Sequence, residues 1–595
     1  MATPGPSATL NLQLVSEYVR SELGGLLDKT AGPKDVVIQQ ELMSLLSHIA
    51  NVKFLRSHGV DKIYRLEQHM RVPGYHRYYI VRPEVGSTSA ISNHITQDMK
   101  DGVRINYNVV FVPRKLACCD MVLERDGVFG QVMIHEWNLY LIPLDEHILS
   151  LEVPDATQAL YLHGDYTLLH SVAQSVIQLE CLYGTIKTFR SKGTLSKTIS
   201  DLLQRLRKAY GIREESWGDH SISELIMIDR SVDLVTPLCS QMTYEGMLDD
   251  TLGIHNGFIQ VTKATTGRLT DTKVLVNSTD PVFILIRGQL FSKVPRILSR
   301  LTQELKGNYD TGKGAKDIRD LKEFVTQLPE LKKKHESLST HLRVSEKIVT
   351  QKKVEDFKRQ LSYERAILEG QDTGPIFEYI EECIQRQVSS LQPIRLLCLL
   401  SLTSGGIKSR YYQSMKLQYL QSYGYNNLST FYTLEQLGLL RERTGDQITY
   451  QSSFKQFNKA LKLVPKCTSP EEMERVEDMS YVFGGTYLPL GCTAIKSVIE
   501  NGSWKAMEDI SKMWKGPAVP PSSAAAPVSI KKREKGGKPP GQGGRTIVVY
   551  FVGGCTFSEI NALQRLGEEL DCKIVVATTN IISATTLLES LVKSN

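Results

Sequence analysis

Short unbroken apolar runs alternate along this chain with stretches in which Leu, Val and Ile return every three or four positions. The first kind predicts strands buried on both faces, the second helices with one apolar face. Leu12, Val15, Val19, Leu23, Leu26 and Leu27 form such a helical stripe. Strands are expected at Val36-Val37-Ile38, Tyr78-Tyr79-Ile80-Val81 and Asn108-Val109-Val110-Phe111-Val112. Arg82-Pro83 and Pro113-Arg114 close the last two in the same way, and helical segments lie between. Repeated β-α units read as a parallel sheet with helices on both faces, here a first α/β domain over residues 1–132.

From Leu139 the pattern starts again. Leu139 to Leu144 is strand-like, Leu168 to Leu182 and Thr198 to Tyr210 are helical, and Leu225-Ile226-Met227-Ile228 is a short buried strand. This second unit has few strands before the chain leaves it. More appear at the far end, at Thr546 to Val552, closed by Gly553-Gly554, and at Lys573 to Thr579. Between them Thr556-Phe557-Ser558-Glu559 fits a capping box, and Ile560, Leu563, Leu566 and Leu570 follow on one helical face. Ile581 to Val592 is a closing helix. Two isolated apolar strands need a sheet on which to pair. The second domain is therefore expected to be discontinuous, built from 133–240 and 480–595.

The inserted middle, 241–479, reads as mainly helical. Pro281 to Lys306 carries Val282, Leu285, Ile286, Leu290, Phe291, Val294, Ile297, Leu298, Leu301 and Leu305 on a helical stripe. Ile318, Leu321, Phe324, Val325 and Leu328 line another helix, which Pro329 should kink or end at Leu328. Beyond it, Leu331, Leu338 and Leu342 form a narrow apolar seam flanked by Lys332, Lys333, Lys334, His335 and Glu336. Such a seam suits association with a partner helix, or packing of a solvated hairpin on its own domain. Ile376 to Ile384 is amphipathic, and Arg395 to Leu402 is apolar nearly all round and reads as core. A helix containing Lys416 should stop at Gly424, leaving Tyr425 at its exit, with Leu428 three residues on. An aromatic there is either core or an anchor for a partner. Residues 516–545 are rich in Pro, Gly, Ser and Lys and read as a disordered loop, with KKREKGGK as its basic stretch.

The charged turn after the Leu225 strand holds Asp229, Arg230 and Asp233, followed by Pro237, Tyr244 and Glu245. It either ties packed units together through buried charge-assisted hydrogen bonds, or uses its two aspartates for a metal or acid–base work. Neither His nor a third acid sits close by in sequence to complete a site. A nucleotide reading of Gly553-Gly554 meets an obstacle, because VGGCTF is not GxGxxG and no GxxxxGK[ST] occurs. Composition adds little: 41% hydrophobic, 23% charged and a net charge of +6 fit an ordinary globular protein of two to four domains and make no case for nucleic acid. No apolar run is long enough for a membrane-spanning helix, and MATPGPSATL does not read as a signal peptide. The 10 cysteines lack zinc spacing and read as reduced thiols in the cytosol. Neither a catalytic constellation nor a cofactor is expected.

The string Asp229-Arg230-x-x-Asp233-x-x-Thr236-Pro237, with Tyr244-Glu245-Gly246, resembles the signature of the Sec/Munc (SM) family. CDMVLERDGVFG (119–130), EWNLYLIPLD (136–145), LLSLTSGGI (399–407), YLQSYG (419–424) and FVGGCTFSEINALQRLG (551–567) resemble its vacuolar protein sorting-associated protein 33 branch, most of all the B-type. The resemblance implies an arch of two parallel-sheet α/β domains, the second discontinuous, and an inserted helical domain whose hairpin, about 281–369, protrudes. It implies SNARE contact through LPELKKKHESLSTHL, with Pro329, Leu331, Leu338 and Leu342, and templating of SNARE bundles without covalent chemistry. It implies a partner of the vacuolar protein sorting 16 type, met by Lys416, Tyr425 and Leu428. Leu428 stands where that branch has a differently branched aliphatic. It further implies peripheral work at late endosomes and lysosomes through partners, as a subunit of a tethering complex rather than a homo-oligomer. A nucleotide-dependent enzyme and a structural adaptor without SNARE contact are the other classes.

Overall fold

The computed structural model describes residues 10–592 except 71, 73, 154, 213–220, 262–271, 314–317, 444–452, 466–475, 503, 505–517 and 520–544. The first sheet is built from β1 (Lys34–Ile38), β2 (Val60–Arg65), β3 (His76–Val81), β4 (Asn106–Phe111) and β5 (Val132–Glu136). All neighbours are parallel, in the order β2-β1-β3-β4-β5, with Val36 beside Tyr78 and Tyr79 beside Val109. The apolar runs that mark β1, β3 and β4 are buried on both faces. Helices cover both sides, and Val15, Val19 and Leu23 bury one face of the first helix, Gln13–Leu27. β2 lies at an edge, where Asp61 and Lys62 are exposed, so it carries no apolar run to betray it. The sheet also outruns the expected boundary at 132, because β5 pairs along β4 as far as Glu136.

The second sheet takes strands from both ends of the chain. β6 (Ile142–Asp145), β7 (Ile148–Ser150), β8 (Thr188–Lys192) and β9 (Glu224–Asp229) precede the insertion. Within the insertion, β10 (Phe258–Val261) and β11 (Thr272–Leu275) make an antiparallel ribbon, and β12 (Ile407–Lys408) pairs with β13 (Glu442–Arg443). β14 (Ala518–Val519), β15 (Thr546–Val552) and β16 (Lys573–Thr578) follow it, and the sheet order is β14-β8-β9-β15-β16-β7-β6. β15 is central, with Val549 opposite Ile226 on one side and Val576 on the other. The strand expected from Leu139 begins only at Ile142, since the amides of Leu139 and Tyr140 bond back into a turn. β14 corrects the reading of 516–545 as wholly disordered: Ala518 and Val519 pair antiparallel with Lys192 and Ser191 on the open edge of β8. Arg545, at the loop's end, pairs with Glu224, and the remainder, KKREKGGK included, lies outside the described residues.

The insertion is mainly helical. Its hairpin joins the helices Val294–Lys313 and Ile318–Lys352. The stripe expected as one helix from Pro281 breaks into Phe283–Ile286, the turn Phe291–Lys293 and the helix from Val294. The break has a backbone cause: the carbonyls of Arg287 and Gln289 accept the amides of Glu245 and Tyr244, and the Phe291 amide reaches Met242. Pro329 does not end its helix, which runs unbroken from Ile318 to Lys352. Pro329 is exposed, so the carbonyl it leaves without an N–H faces water, and packed side chains beyond it, Leu338, Val344 and Ile348, hold the helix. The side chains of Ile318, Leu321 and Phe324 lie outside the described residues, and Val325 is exposed. Leu396 to Leu400 are buried, as expected of a core helix. One apolar cluster runs from Val36 through Ile226 and Val549 to Leu301 and Leu397.

Candidate functional site

At the end of β9 the two aspartates turn to opposite neighbours. The Asp229 carboxylate accepts the amides of Leu195 and Ser196, each at 2.9 Å, and the Ser196 hydroxyl. It thereby caps the helix Thr194–Ala209, where free amides and the helix dipole favour an anion. Gly193 precedes that helix at φ +127°, and a Cβ there would lie 2.0 Å from the Asp229 carboxyl carbon. Burial lifts the Asp229 pKa to about 6, against the pull of those hydrogen bonds. Asp233 accepts the amides of Thr236 at 3.0 Å and Gly491 at 2.9 Å, and the Thr236 hydroxyl at 2.5 Å.

Arg230, 1% exposed, donates to the Asp233 carbonyl at 2.7 Å and to both oxygens of Glu559 at 2.8 Å. Glu559 is also the N3 residue of the capping box on the helix Phe557–Leu570. Pro237 opens the turn Thr236–Leu238. The Tyr244 hydroxyl meets His341 Nδ1 at 2.8 Å, and Glu245 receives Arg287 at 2.6 Å. Arg287 also pairs with Asp145 of β6, so the signature ties sheet, insertion and C-terminal segment together. The metal reading of Asp229 and Asp233 gives way to this bonding. Among the described residues no group of three His, Cys, Asp or Glu could hold a metal ion.

The nucleotide reading of Gly553 meets a filled space. A Cβ at Gly553 would lie 2.6 Å from the Tyr161 ring and 3.0 Å from Arg230 Cβ, and one at Gly554 2.9 Å from Ile582. The Gly553 carbonyl accepts the Thr157 hydroxyl at 2.7 Å. The glycines serve close packing of side chains, leaving no phosphate cradle.

The hairpin presents an open surface. Leu342 is 43% exposed and is shared by two adjoining grooves between its helices. The first, of about 590 Å³, is lined by Phe291, Pro295, Leu298, Thr302 and Val349. The second, of about 410 Å³, runs past Leu305, Tyr309 and Leu338. The expected seam is thus divided. Leu331 and Leu338 are buried, Leu338 to 3% exposure, in a cluster that also holds Leu301 and Leu305, while Leu342 remains open. Sequence reasoning missed Val349, also exposed, although its spacing of seven from Leu342 continues the repeat. Beneath, Asp280 accepts Ser337 Oγ at 2.5 Å and the Phe283 amide at 2.8 Å. Burial would raise its pKa, but those bonds and His341 bring it down to about 2.

The other expected face lies at the end of the helix Ser409–Tyr423, which stops at Gly424, φ +101°. Tyr425 is 62% exposed and Leu428 is exposed as well, so the core reading of Tyr425 falls away. Lys416 lies over the rings of Tyr412 and Phe431, at 5.6 and 5.5 Å, and 4.0 Å from Glu435. Tyr432, missed in the sequence, is exposed one helical turn after Leu428 and extends the row.

A family model described as the Sec1 family matches residues 34–590. The chain is 36% identical to vacuolar protein sorting-associated protein 33B of Danio rerio, over 98% of this chain and 97% of that protein. It is 31% identical to the vacuolar protein-sorting-associated protein 33 homolog of Arabidopsis thaliana, over 99% and 98%. The solved structure of the SM protein Vps45 in complex with the Qa SNARE Tlg2 is similar in fold, with a TM-score of 0.63 at 14% identity, covering 98% of each chain. With the buried signature at Arg230, one parallel sheet, a second that is parallel except at its two edge pairs, and similarity along the chain in agreement, the chain belongs to the Sec1 family, in its vacuolar protein sorting-associated protein 33 branch.

Proposed function

We propose that this protein regulates SNARE-mediated membrane fusion in vesicle transport, binding SNARE helices along its hairpin and holding them in register. The observation that carries the site is the exposed Leu342 between two apolar grooves on a long helical hairpin. A helix with leucines at seven-residue spacing fits such a groove. Starting a helical bundle is entropically costly, because several residues are fixed before the first contacts repay it. A rigid surface that aligns two helices reduces that cost without any covalent step. The buried acids and arginines of the signature keep the platform rigid. The test is a pulldown of soluble SNARE motifs by wild type and by Leu342→Arg, with retention by wild type and loss by the variant as the supporting result.

The exposed row Tyr425, Leu428 and Tyr432 is the surface through which the chain joins a larger tethering complex, by way of a subunit of the vacuolar protein sorting 16 type. Large exposed aromatics next to an aliphatic are the composition of interface anchors. No described helix is long and apolar enough to cross a membrane, and recruitment to late endosomes and lysosomes runs through that partner.

A further inference from the structure

A cleft of about 730 Å³ lies where the helix Gln13–Leu27, the turn after β4 and the helix Thr167–Tyr183 meet. Its volume falls within the range of small-molecule sites, about 300–1,000 Å³. Its wall differs from the hairpin grooves in being rich in amides and phenols. Gln178 is only 8% exposed, yet neither its Nε2 nor its Oε1 has a hydrogen-bond partner. A buried amide left so is costly, and ordinarily a ligand or water completes it. Beside it, Gln174 donates to the Tyr210 hydroxyl at 2.9 Å. The Tyr140 hydroxyl has no hydrogen bond among the described residues.

The wall carries the cations Arg114 and Lys115 and the acids Glu136 and Glu180, and among the described residues Arg114 is the charged group left without a partner. Arg114 makes no hydrogen bond or ion pair among the described residues, whereas its neighbour Lys115 holds Asp120 at 2.8 Å. Glu180, an acid of the wall, is taken by Arg207 at 3.0 Å and by the Ile186 amide at 3.0 Å. Glu136 accepts the Lys115 amide at 2.9 Å. Burial first, and then the Arg114 charge, lowers the pKa of His170 in the same wall. A guanidinium without a partner, set beside an unsatisfied amide and phenols, matches an anion joined to a body with several hydrogen-bonding groups.

We propose that this cleft binds a phosphate monoester of sugar or nucleoside size, with Arg114 on the phosphate and Gln178, Tyr140 and Tyr210 on the body. A bare anion would leave Gln178 unsatisfied, and a neutral body would leave Arg114 unpaired. The site is separate from the Gly553 turn and from both protein-facing surfaces.

The test is calorimetric titration of the full chain with glucose 6-phosphate, adenosine monophosphate and inorganic phosphate. One of the two esters is expected to bind with a Kd below about 1 mM, and inorganic phosphate about tenfold more weakly or worse. Which ester binds separates a sugar from a nucleoside. Arg114→Ala removes no internal bond, so it is expected to melt like wild type and to weaken the ester about tenfold or more. Gln178→Leu is expected to weaken it too; should that variant not fold, Arg114→Ala decides alone. Absence of binding by both esters at about 10 mM, equal affinity for inorganic phosphate, or an affinity unchanged in Arg114→Ala overturns the proposal.

Discussion

Arg230 and Glu559 lie 329 positions apart in the chain, and one guanidinium nitrogen of Arg230 sits 2.8 Å from both carboxylate oxygens of Glu559. Both side chains are buried. The pair joins the end of β9 to the start of the helix after β15, across the whole inserted domain. Removing one partner of a buried pair leaves the other charge uncompensated, at a cost of about 3–5 kcal/mol. Arg230→Met is therefore expected to lower the melting temperature by several degrees and to reduce soluble yield. A melt equal to that of wild type would show that the pair is dispensable.

β15 lies between β9 and β16, so the C-terminal segment fills the middle of the second sheet rather than extending its edge. A fragment ending near 480 would expose the backbone groups of β9 along its full length. It is expected to be insoluble, and a soluble 1–480 fragment with a cooperative melt would refute this role of the segment.

Leu342→Arg sets a charge on the open side of the hairpin, where the side chain is 43% exposed. Little buried packing is lost, so the melt should stay within about 0.5 kcal/mol of wild type. Capture of SNARE motifs should fall about tenfold or more, as for a hot-spot position. Equal capture by both proteins would remove Leu342 from the site.

If the proposed vacuolar protein sorting 16-type subunit docks on this face, Tyr425→Asp should abolish that association, since truncating an interface aromatic costs about 2 kcal/mol or more. The ring is exposed in this chain alone, so circular dichroism melts should be unchanged. Tyr432→Asp is expected to act in the same direction. Undiminished co-purification with a normal melt would dispose of this face.

Asp249 accepts the Ile254 amide at 2.9 Å, and burial pushes its pKa up to about 8. An ordinary aspartate in the unfolded chain loses its proton near 3.9. The folded state therefore holds a proton that the unfolded state has released, and this group's contribution declines as pH rises from about 4 to about 8. Asp249→Asn keeps the acceptor and cannot ionise. Its melting temperature should gain on wild type as pH rises through that window, and parallel pH profiles for the two proteins would contradict the assignment.

Much of the architecture was legible in the sequence. The runs Val548-Val549-Tyr550 and Leu225-Ile226-Met227 announce strands buried on both faces, because such strands carry no polar side. Thr556 and Glu559 announce a helix start, because four free amides there need acceptors nearby in sequence. Gly424 announces a helix end for the same local reason. What the sequence left open depends on distant neighbours. β8 reads TFRSK and was missed, since its Arg190 can be buried only by pairing with Glu224 of the adjacent strand. Pro329 carries a local signal to stop, overruled by packing further along its helix. The break before Val294 follows from the amides of Tyr244 and Glu245 and the carbonyl of Met242, distant in sequence. Exposure was the largest unknown: Leu338 and Leu342 share one repeat, yet one is covered and the other open. Spacing assigns residues to a face of a helix, and only the tertiary structure decides how much of that face a neighbour covers.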